Sequence, residues 1–452
     1  MPWIKCYPTD TPFSLSRGQR QNMKPILLAL LLSLYWQFNV PSTLAGDADW
    51  PQWRGPNRNG HSPAKQLLKT WPEEGPKLKW TFADAGIGYS TVAIVDDCIY
   101  TLGSNDISCF ALCLNLQDGS VKWKSAFCRA GNREDYNQGW GGGPRSTPTV
   151  NQGQVFVLSD IGVLASLDKE TGKVQWKTDI AKDHNGKIPT WGYSDSPLVD
   201  GNRVVVTPGG ESFLLAVDRA TGKMVWKSRG YKEGAQYVSV MKDNRGDTNF
   251  YISASKAGLV AFDTESGDKL FSDTATGNPT AVIPTPILHQ HQIYHTSAYR
   301  AGNTLINLVD EGQGRVAVQT VYHLTGKTME NHHGGVVLVN DTIFGFSKAN
   351  GGVWMAQDLE SGETLWEEKI RPNKSGSICY ADERLYCYND KDATVFLVEP
   401  SRTGWQQKGM LKLPKQTEIP REKGAIWAHP VVANQSLIIR DQDLIYAYDV
   451  AK

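Results

Sequence analysis

Short runs of alternating apolar and polar residues fill most of the chain, and many of the runs end at turns rich in Gly, Asp or Asn. Residues 147–150 with 155–158, and residues 335–339 with 342–346, are typical pairs of such runs. A period of two residues is that of a half-buried β-strand, and the intervening residues are those of hairpin turns. The pattern therefore predicts an all-β protein built from short antiparallel strands.

A ten-residue motif recurs along the chain. Residues 167–176 have the sequence LDKETGKVQW, residues 217–226 have the sequence VDRATGKMVW, and variants end at Trp123, Phe271 and Trp366. Asp, a hydroxyl residue and Gly favour a tight turn, so the aromatic residue falls on the strand that follows. We expect each motif to be a hairpin whose aromatic side chain packs against the neighbouring repeat.

The spacing of the repeats predicts a closed ring. Four strands in a unit of about 40–50 residues are typical of a propeller blade. The last unit has three strands, and residues 76–80 have the pattern of the missing fourth strand, so pairing them leaves no exposed sheet edge. We predict an eight-bladed β-propeller of four-stranded antiparallel blades, closed by pairing an N-terminal strand with the C-terminal blade. The aromatic markers of the eight outer strands are Trp80, Trp123, Trp176, Trp226, Phe271, Tyr322, Trp366 and Trp405.

The N-terminus has the pattern of an export signal. Basic residues precede an apolar run at residues 26–36, and the small residues Thr43 and Ala45 follow it. Residues 1–45 are therefore predicted to be a signal peptide, with Met23 as an alternative start. An uncleaved membrane anchor is the other interpretation. The mature chain is expected in the periplasm or outside the cell, without a membrane span of its own.

The mature chain divides into two predicted parts. Residues 46–76 are rich in Pro and Gly and predict an extended strap, whereas residues 77–452 are predicted to form the propeller. The strap tryptophans Trp50 and Trp53 are expected to pack against the propeller, with docking of a partner as the alternative. We expect the protein to be a monomer.

Charge and cysteine content narrow the function classes. The 47 basic and 47 acidic residues are scattered along the chain, which disfavours a nucleic-acid partner. Cys379 and Cys387 flank a predicted hairpin, so a disulfide between them is possible in an exported chain; burial as two small apolar residues is the alternative. The cysteines and histidines lack the spacing of a structural zinc site.

The hairpin motifs resemble the pyrroloquinoline-quinone-like (PQQ-like) repeats shared by quinoprotein alcohol dehydrogenases and the scaffold lipoprotein of the barrel-assembly machinery. More of the chain resembles exported PQQ-like propeller proteins of environmental bacteria. The segments that carry this resemblance are PQWRGPNRNG (51–60), GPRSTPTV (143–150), NHHGGVVLV (331–339) and residues 427–450. The resemblance implies the propeller fold but leaves the function open, because a fold hosts many functions.

The likeness to quinoprotein dehydrogenases has gaps at the residues that matter for catalysis. Those enzymes are similar in carrying an adjacent cysteine pair beside the quinone and a calcium ion held by acidic and amide groups. This chain has no Cys-Cys dipeptide and lacks the large insertions of those enzymes. PQQ with Ca²⁺ therefore stays the lesser cofactor hypothesis, and no cofactor is the leading one.

The propeller topology predicts where a ligand would bind. The innermost strand of each blade lines the axis, so the residues that enter these strands converge on one funnel, together with the loops between second and third strands. The predicted funnel residues are Arg145, Tyr193, Asp195, Tyr237, Arg300, His332, His333, Lys374, Trp427, His429, Asp441 and Asp443.

Three groups within the funnel have alternative interpretations. The three histidines could bind a metal, but adjacent histidines in a strand point to opposite faces, which favours hydrogen bonding. Asp195 is a weak candidate for a general base, with bonding at a strand entrance as the alternative. Asp441 and Asp443 could bind Ca²⁺, but such turn carboxylates more often cap backbone groups.

The sequence thus favours a binding or scaffold module that recognises a protein or a small ligand at its funnel. The alternative is a PQQ-dependent dehydrogenase that oxidises an alcohol or a sugar. A retained quinone spectrum and dye-linked alcohol oxidation would separate the two hypotheses.

Overall fold

The computed structural model describes residues 48–245, 248–312 and 314–452. The predicted signal peptide, residues 1–45, lies outside these residues. In the described part of the chain nearly all regular structure is β, with one short 3-10 turn at Ala349–Gly351. No helix among the described residues is long and apolar enough to span a membrane.

Eight sheets make up the ring. The first four are blade 1, with β3 (Ala93–Val95), β4 (Cys98–Ser104), β5 (Ser108–Asn115) and β6 (Val121–Arg129); blade 2, with β7 (Thr149–Asn151), β8 (Gln154–Leu158), β9 (Val163–Asp168) and β10 (Val174–Asp179); blade 3, with β11 (Leu198–Asp200), β12 (Arg203–Val206), β13 (Leu215–Asp218) and β14 (Met224–Lys227); and blade 4, with β15 (Met241–Arg245), β16 (Thr248–Ser255), β17 (Gly258–Asp263) and β18 (Lys269–Asp273).

The other four are blade 5, with β19 (Ile287–His289), β20 (Gln292–Ser297), β21 (Gly302–Gly312) and β22 (Arg315–Leu324); blade 6, with β23 (Val336–Val339), β24 (Thr342–Ser347), β25 (Val353–Asp358) and β26 (Thr364–Glu368); blade 7, with β27 (Gly376–Ala381), β28 (Arg384–Asn389), β29 (Thr394–Glu399) and β30 (Gln406–Lys412); and blade 8, with β31 (Val431–Ala433), β32 (Ser436–Asp441), β33 (Leu444–Asp449) and the N-terminal strand β2 (Lys77–Phe82). A short strand, β1 (His61–Ser62), pairs in parallel with β27. First strands of neighbouring blades contact one another, as β3 does β7 and β23 does β27, so they surround the axis.

The ring closes between the two ends of the propeller. Strand β2 pairs antiparallel with β33, with Leu78 opposite Tyr448 and Trp80 opposite Ala447. The eight-bladed fold and its closure by an N-terminal strand are therefore confirmed. Strand β2 thus covers the edge of β33 and gives blade 8 the same four strands as the other blades.

A buried arginine, Arg440, links blade 8 to blade 1. Its guanidinium, 1% exposed, lies on β32 of blade 8 and donates hydrogen bonds to backbone carbonyls of blade 1. The acceptors include Ser90 O at 2.8 Å and Leu102 O at 2.6 Å, and the Thr101 hydroxyl accepts at 2.7 Å. Blade 8 and blade 1 are thus joined by a buried charged group.

The recurring motif joins each blade to the next. The Trp176 ring, on the outer strand of blade 2, packs over the hairpin glycine Gly222 of blade 3, and its Nε1–H donates to Arg219 O at 2.8 Å. Trp123 does the same with Gly172 and Lys169 O. A buried tryptophan supplies a large apolar area, so each motif stabilises the contact between two blades.

The predicted strap runs into the ring. Its residues 50–62, called the plug below, contact all eight blades at or beside their innermost strands. The contacts with blades 1 to 8 in order are Trp50 with Ile94, Pro51 O with Val150 N–H, Arg58 with Ser196 O, Arg58 with Val240 O, Trp53 with Thr285, Arg54 with Val336 O, His61 with Tyr380, and Ser62 with Val432 O. The plug therefore lies in the axial channel. After it, the chain contacts blades 8 and 7, through Leu68 N–H to Val450 O and Trp71 N–H to Lys408 O.

The possible disulfide between Cys379 and Cys387 is not formed. Cys379 pairs across the hairpin with Tyr386, and Cys387 pairs with Ile378, so the two thiols leave the sheet on opposite faces. Both are buried free cysteines in separate apolar cores. The cysteines that do sit directly opposite one another are Cys109 and Cys128, in blade 1.

Candidate functional site

A cavity of about 720 Å³ opens at the end of the ring where the chain enters each innermost strand. The loops between blades form most of its wall, and Trp53 of the plug contributes to its lining. The Trp53 Nε1–H donates to the Thr285 hydroxyl at 2.9 Å, and its ring lies 4.6 Å from the His429 ring. The plug thus blocks the channel next to the cavity and fixes one of its aromatic residues.

Aromatic side chains dominate the wall. The seven that line it are Trp53, Tyr89, Trp140, Trp191, Tyr237, Tyr299 and Trp427. Trp427 is central to this group, since Trp140 stacks near it with ring centres 6.3 Å apart and Tyr89 lies 5.2 Å away. Trp140 and Tyr299 stay 39% and 37% exposed. Large flat apolar faces are therefore available to a ligand.

The histidines form a stack with Trp427. The His333 ring lies 3.6 Å from that of His332 and 4.4 Å from that of Trp427, while the His429 Nε2–H donates to the His333 carbonyl at 3.0 Å. The expectation that the adjacent histidines point apart is wrong, because both precede β23 and do not follow its alternation. Burial lowers the pKa of His333 and of His429 to about 3, so both rings are neutral near pH 7.

Charged side chains line the rest of the cavity. Five are basic and two are acidic: Arg145, Lys348, Lys374, Lys391 and Lys423, with Asp390 and Glu422. The Arg145 side chain is held within the cavity wall, because it donates hydrogen bonds to the carbonyls of Gly143 and Gly141 at 2.8 and 2.6 Å. The lining as a whole carries an excess of positive charge.

The structure brings together seven of the predicted funnel residues. Arg145, Tyr237, His332, His333, Lys374, Trp427 and His429 all line the cavity. Each of them precedes the innermost strand of its blade, which is where the topology places a funnel residue.

Five predicted funnel residues lie elsewhere. Tyr193 is buried and donates to Pro208 O at 2.9 Å. Asp195, 1% exposed, accepts from the backbone N–H groups of Thr207 at 2.9 Å and Val240 at 3.3 Å, so this candidate base does not face the cavity. Burial raises the pKa of Asp195 to about 7, against the pull of the nearby Arg58 charge. Its side chain bonds strand entrances, as the alternative interpretation holds.

The remaining three contact neighbouring loops and do not line the cavity. Arg300 is an exposed turn residue whose N–H donates to Glu330. Asp441 pairs with Arg421 at 2.9 Å and accepts from Thr417 N–H at 3.0 Å, while Asp443 accepts from the Thr417 hydroxyl. These two carboxylates hold the loop before β31, and neither of them lines the cavity.

Several lining residues were missed by the funnel prediction. Trp53 comes from the strap, Trp140 from a glycine-rich loop, and Trp191 from two positions before the predicted Tyr193. A run of Trp and Gly at residues 139–143 is a signal that could have pointed to Trp140. Nothing local in the sequence places the strap in the axis.

The residues present do not fit a calcium-bound quinone. Calcium takes six or more oxygen ligands, usually including carboxylates. In residues 48–245, 248–312 and 314–452, no group of three or more His, Cys, Asp or Glu side chains is placed to hold a metal ion. Asp390 and Glu422 are the carboxylates of the lining, and Glu422 pairs with Arg133.

The ring of eight hairpin-linked blades, with an aromatic cavity at its axis, defines a propeller of PQQ-like repeats. A family model of this kind, PQQ_2, described as outer membrane protein assembly factor BamB, matches residues 110–368. This is more than half of the chain, and the protein belongs to that family.

Two curated relatives match part of the chain. The BamB assembly factor of Shewanella oneidensis is 25% identical over 244 residues, covering 50% of this chain and 57% of the relative. A polyvinylalcohol dehydrogenase of Sphingopyxis is 26% identical over 207 residues, covering 42% of this chain and 29% of the relative. The chain thus spans less than two thirds of either relative.

Solved structures share the fold. BamB from Moraxella catarrhalis superposes with a TM-score of 0.54 at 17% identity, covering 82% of this chain and 97% of that one. The quinohemoprotein alcohol dehydrogenase of Comamonas testosteroni superposes with a TM-score of 0.63 at 11% identity, covering 89% of this chain and 81% of that one. At these identities the likeness concerns the architecture alone.

Proposed function

We propose that this protein is an exported binding module that holds its ligand, a small molecule or a segment of another protein, in the axial cavity. The observation that carries the proposal is the cavity itself, because seven aromatic rings and seven charged side chains converge there around about 720 Å³. Pockets of this size and composition are typical of ligand sites. Trp140 is 39% exposed beside Trp427, so part of its ring is open to a ligand.

Binding is tested first with an uncharged fluorescent probe, N-phenyl-1-naphthylamine. We expect saturable fluorescence enhancement, and about tenfold weaker binding when Trp140→Ala and Trp191→Ala are combined, because both rings offer stacking area in the cavity. Met410→Ala is the matched control, since Met410 is 50% exposed on the outer strand β30. Equal affinity in the wild type and the double variant would count against a ligand site in the cavity.

Oxidation of an alcohol or a sugar with a quinone is the second candidate. The partial match to a polyvinylalcohol dehydrogenase favours it, as does the His333–Trp427 stack, a platform of the kind on which a planar cofactor can lie. It ranks second because the described part of the chain has no group of three or more side chains placed to hold calcium, and the sequence has no Cys-Cys pair.

The two candidates differ in one measurement. Purified protein is mixed with PQQ and Ca²⁺, and quinone absorbance after gel filtration and dye-linked alcohol oxidation are followed. We expect neither turnover nor calcium-dependent retention of the quinone. Saturable retention with turnover would reverse the ranking.

A further inference from the structure

Most of the aromatic residues and most of the lysines lie in different sectors of the cavity, although Tyr299 lies beside Lys348 and Arg145 lies beside Tyr89. The loops of blades 1 to 4 supply Tyr89, Trp140, Trp191 and Tyr237, which form the aromatic wall. The loops of blades 6 and 7, and the loop before β31 of blade 8, supply Lys348, Lys374, Lys391 and Lys423, which form the cationic wall. A ligand that spans the cavity therefore meets mainly aromatic surface on one side and mainly lysines on the other.

Within the cationic wall, Lys348 and Lys374 lie close enough for their charges to repel each other. Burial lowers the pKa of Lys348, nearby Asp390 and Glu330 oppose that shift, and the Lys374 charge adds to it. The Lys348 Nζ lies 4.7 Å from the centre of the Tyr299 ring. Among the residues that the structure describes, neither lysine forms an ion pair.

The neighbouring carboxylates are already bonded to the backbone. Asp390 accepts from Lys374 N–H at 2.9 Å, and Glu330 accepts from Arg300 N–H at 3.3 Å. The histidines add no positive charge near pH 7, because burial lowers the pKa of His332 as it does those of His333 and His429. Asp390 and Glu330 keep their charges and partly offset those of Lys348 and Lys374. Five basic and two acidic side chains line the cavity, so an excess of positive charge remains, and it favours an anion because like charges repel more strongly where water is scarce.

We propose that the cavity takes a ligand with a flat ring that stacks on the aromatic wall and with an oxyanion, a carboxylate, sulfate or phosphate, that pairs with Lys348 and Lys374. This inference rests on the proposed function, whose ligand class it specifies. Aromatic acids have this chemistry, and acidic sugars approach it because the C–H face of a sugar ring can also stack on an aromatic side chain.

The test uses two probes with the same aromatic body. 8-Anilinonaphthalene-1-sulfonate carries a sulfonate, and N-phenyl-1-naphthylamine lacks it. We expect the sulfonate to bind about tenfold more tightly at low salt, and the double variant Lys348→Met with Lys374→Met to reduce this preference to less than about twofold. Binding of the neutral probe should stay unchanged in that variant.

A control lysine separates the cavity from general surface charge. Lys412→Met changes an exposed lysine on β30, and we expect it to keep the full preference for the sulfonate. The inference is overturned if the two probes bind the wild type equally, or if the Lys412 variant loses as much preference as the double variant. If binding of the neutral probe still depended on Trp140, the proposed function would remain supported. If probe binding depended neither on Trp140 nor on the two lysines, both the proposed function and this inference would be contradicted.

A competition arm identifies the source of the ring. A sulfated disaccharide and its unsulfated counterpart are each added to the protein loaded with the sulfonate probe. Displacement by the sulfated sugar alone assigns an acidic sugar. If 2-naphthoate displaces the probe while neither sugar does, the ligand is an aromatic acid. If none of the three competes, the wall is not selective for ring-bearing oxyanions and the inference fails.

Discussion

Buried histidines, among them His295 and His429, make the stability of the protein depend on pH. The His295 Nε2–H donates to Pro284 O at 3.0 Å, and its Nδ1 accepts from the Thr276 hydroxyl at 2.6 Å. Burial lowers the pKa of His295 to about 4 and that of His429 to about 3, from an ordinary value of 6.5. Between pH 6.5 and 4 the unfolded chain therefore binds more protons at these sites than the folded chain, so their contribution to stability falls as the pH falls.

We expect each of these histidines to cost about 1–2 kcal/mol of unfolding free energy between pH 7 and pH 5. Urea denaturation at both pH values measures this, with His295→Gln as the matched variant. Asp195, whose pKa is raised to about 7, acts with the opposite sign but is present in both proteins. The variant should lose less stability on acidification than the wild type. An identical loss would contradict the assignment.

The residue scale also shows what a sequence can reveal about the site. Arg145, Tyr237 and Lys374 could be predicted, because the topology alone sets residues that enter an innermost strand at the funnel. Asp441 and Asp443 could not be placed, because their partners Thr417 and Arg421 lie some twenty residues earlier in a long loop. Contacts of that range leave no local pattern.

At the scale of the element, the hairpin glycine is a docking point for the tryptophan of the preceding blade. Gly222 has φ +70°, and a Cβ there would lie 2.4 Å from Trp176 Cε3. Gly201 is the natural comparison, because it has φ +56° in a turn and a Cβ there would meet nothing within 4 Å. The two glycines share left-handed backbone and differ in their surroundings.

We expect Gly222→Ala to lower the unfolding free energy by about 2–4 kcal/mol and Gly201→Ala by about 1 kcal/mol. The difference between the two losses of unfolding free energy measures the cost of displacing Trp176 from the contact between the blades. Thermal denaturation of both variants gives the comparison, and Trp fluorescence reports the ring. Equal losses would mean that the glycine serves the turn alone.

The hairpin element was predictable from sequence because its determinants are contiguous. Asp168 accepts from Thr171 N–H at 2.8 Å and from its hydroxyl at 2.7 Å, which fixes the turn within four residues. The plug was not predictable in position, because its arginines satisfy carbonyls from blades that lie over a hundred residues away, as Arg58 does with Ser196. The Pro and Gly residues of the plug indicate an extended segment, but they do not indicate where that segment runs.

At the scale of the whole molecule, ring closure depends on a buried arginine. Without its side chain, the carbonyls of Ser90 and Leu102 lose a donor in a place that water does not reach. We expect Arg440→Met to lower the unfolding free energy by about 3–5 kcal/mol. Arg229→Met is the control, because Arg229 is 67% exposed in its pair with Asp268 and should cost at most about 1 kcal/mol.

Chemical denaturation of the two arginine variants decides the matter. A cost for Arg440→Met no larger than that for Arg229→Met would show that the β2–β33 ladder alone holds the ring.

The number of blades and their closure could be predicted from the sequence, because each strand has its own alternating pattern and the two ends of the chain supply one and three strands of the last blade. The cavity lining depends on loops such as residues 413–430, whose conformation no repeat dictates.

The pairing of β2 with β33 also has a consequence for biosynthesis. Strand β2 and the plug leave the ribosome before any blade, whereas β33 is the last of the described strands to emerge. The first-made segment must therefore stay unpaired while some 360 further residues are produced, and the ring is completed only after translation of Asp449. The pair that closes the ring is therefore the last part of the propeller that can form during synthesis.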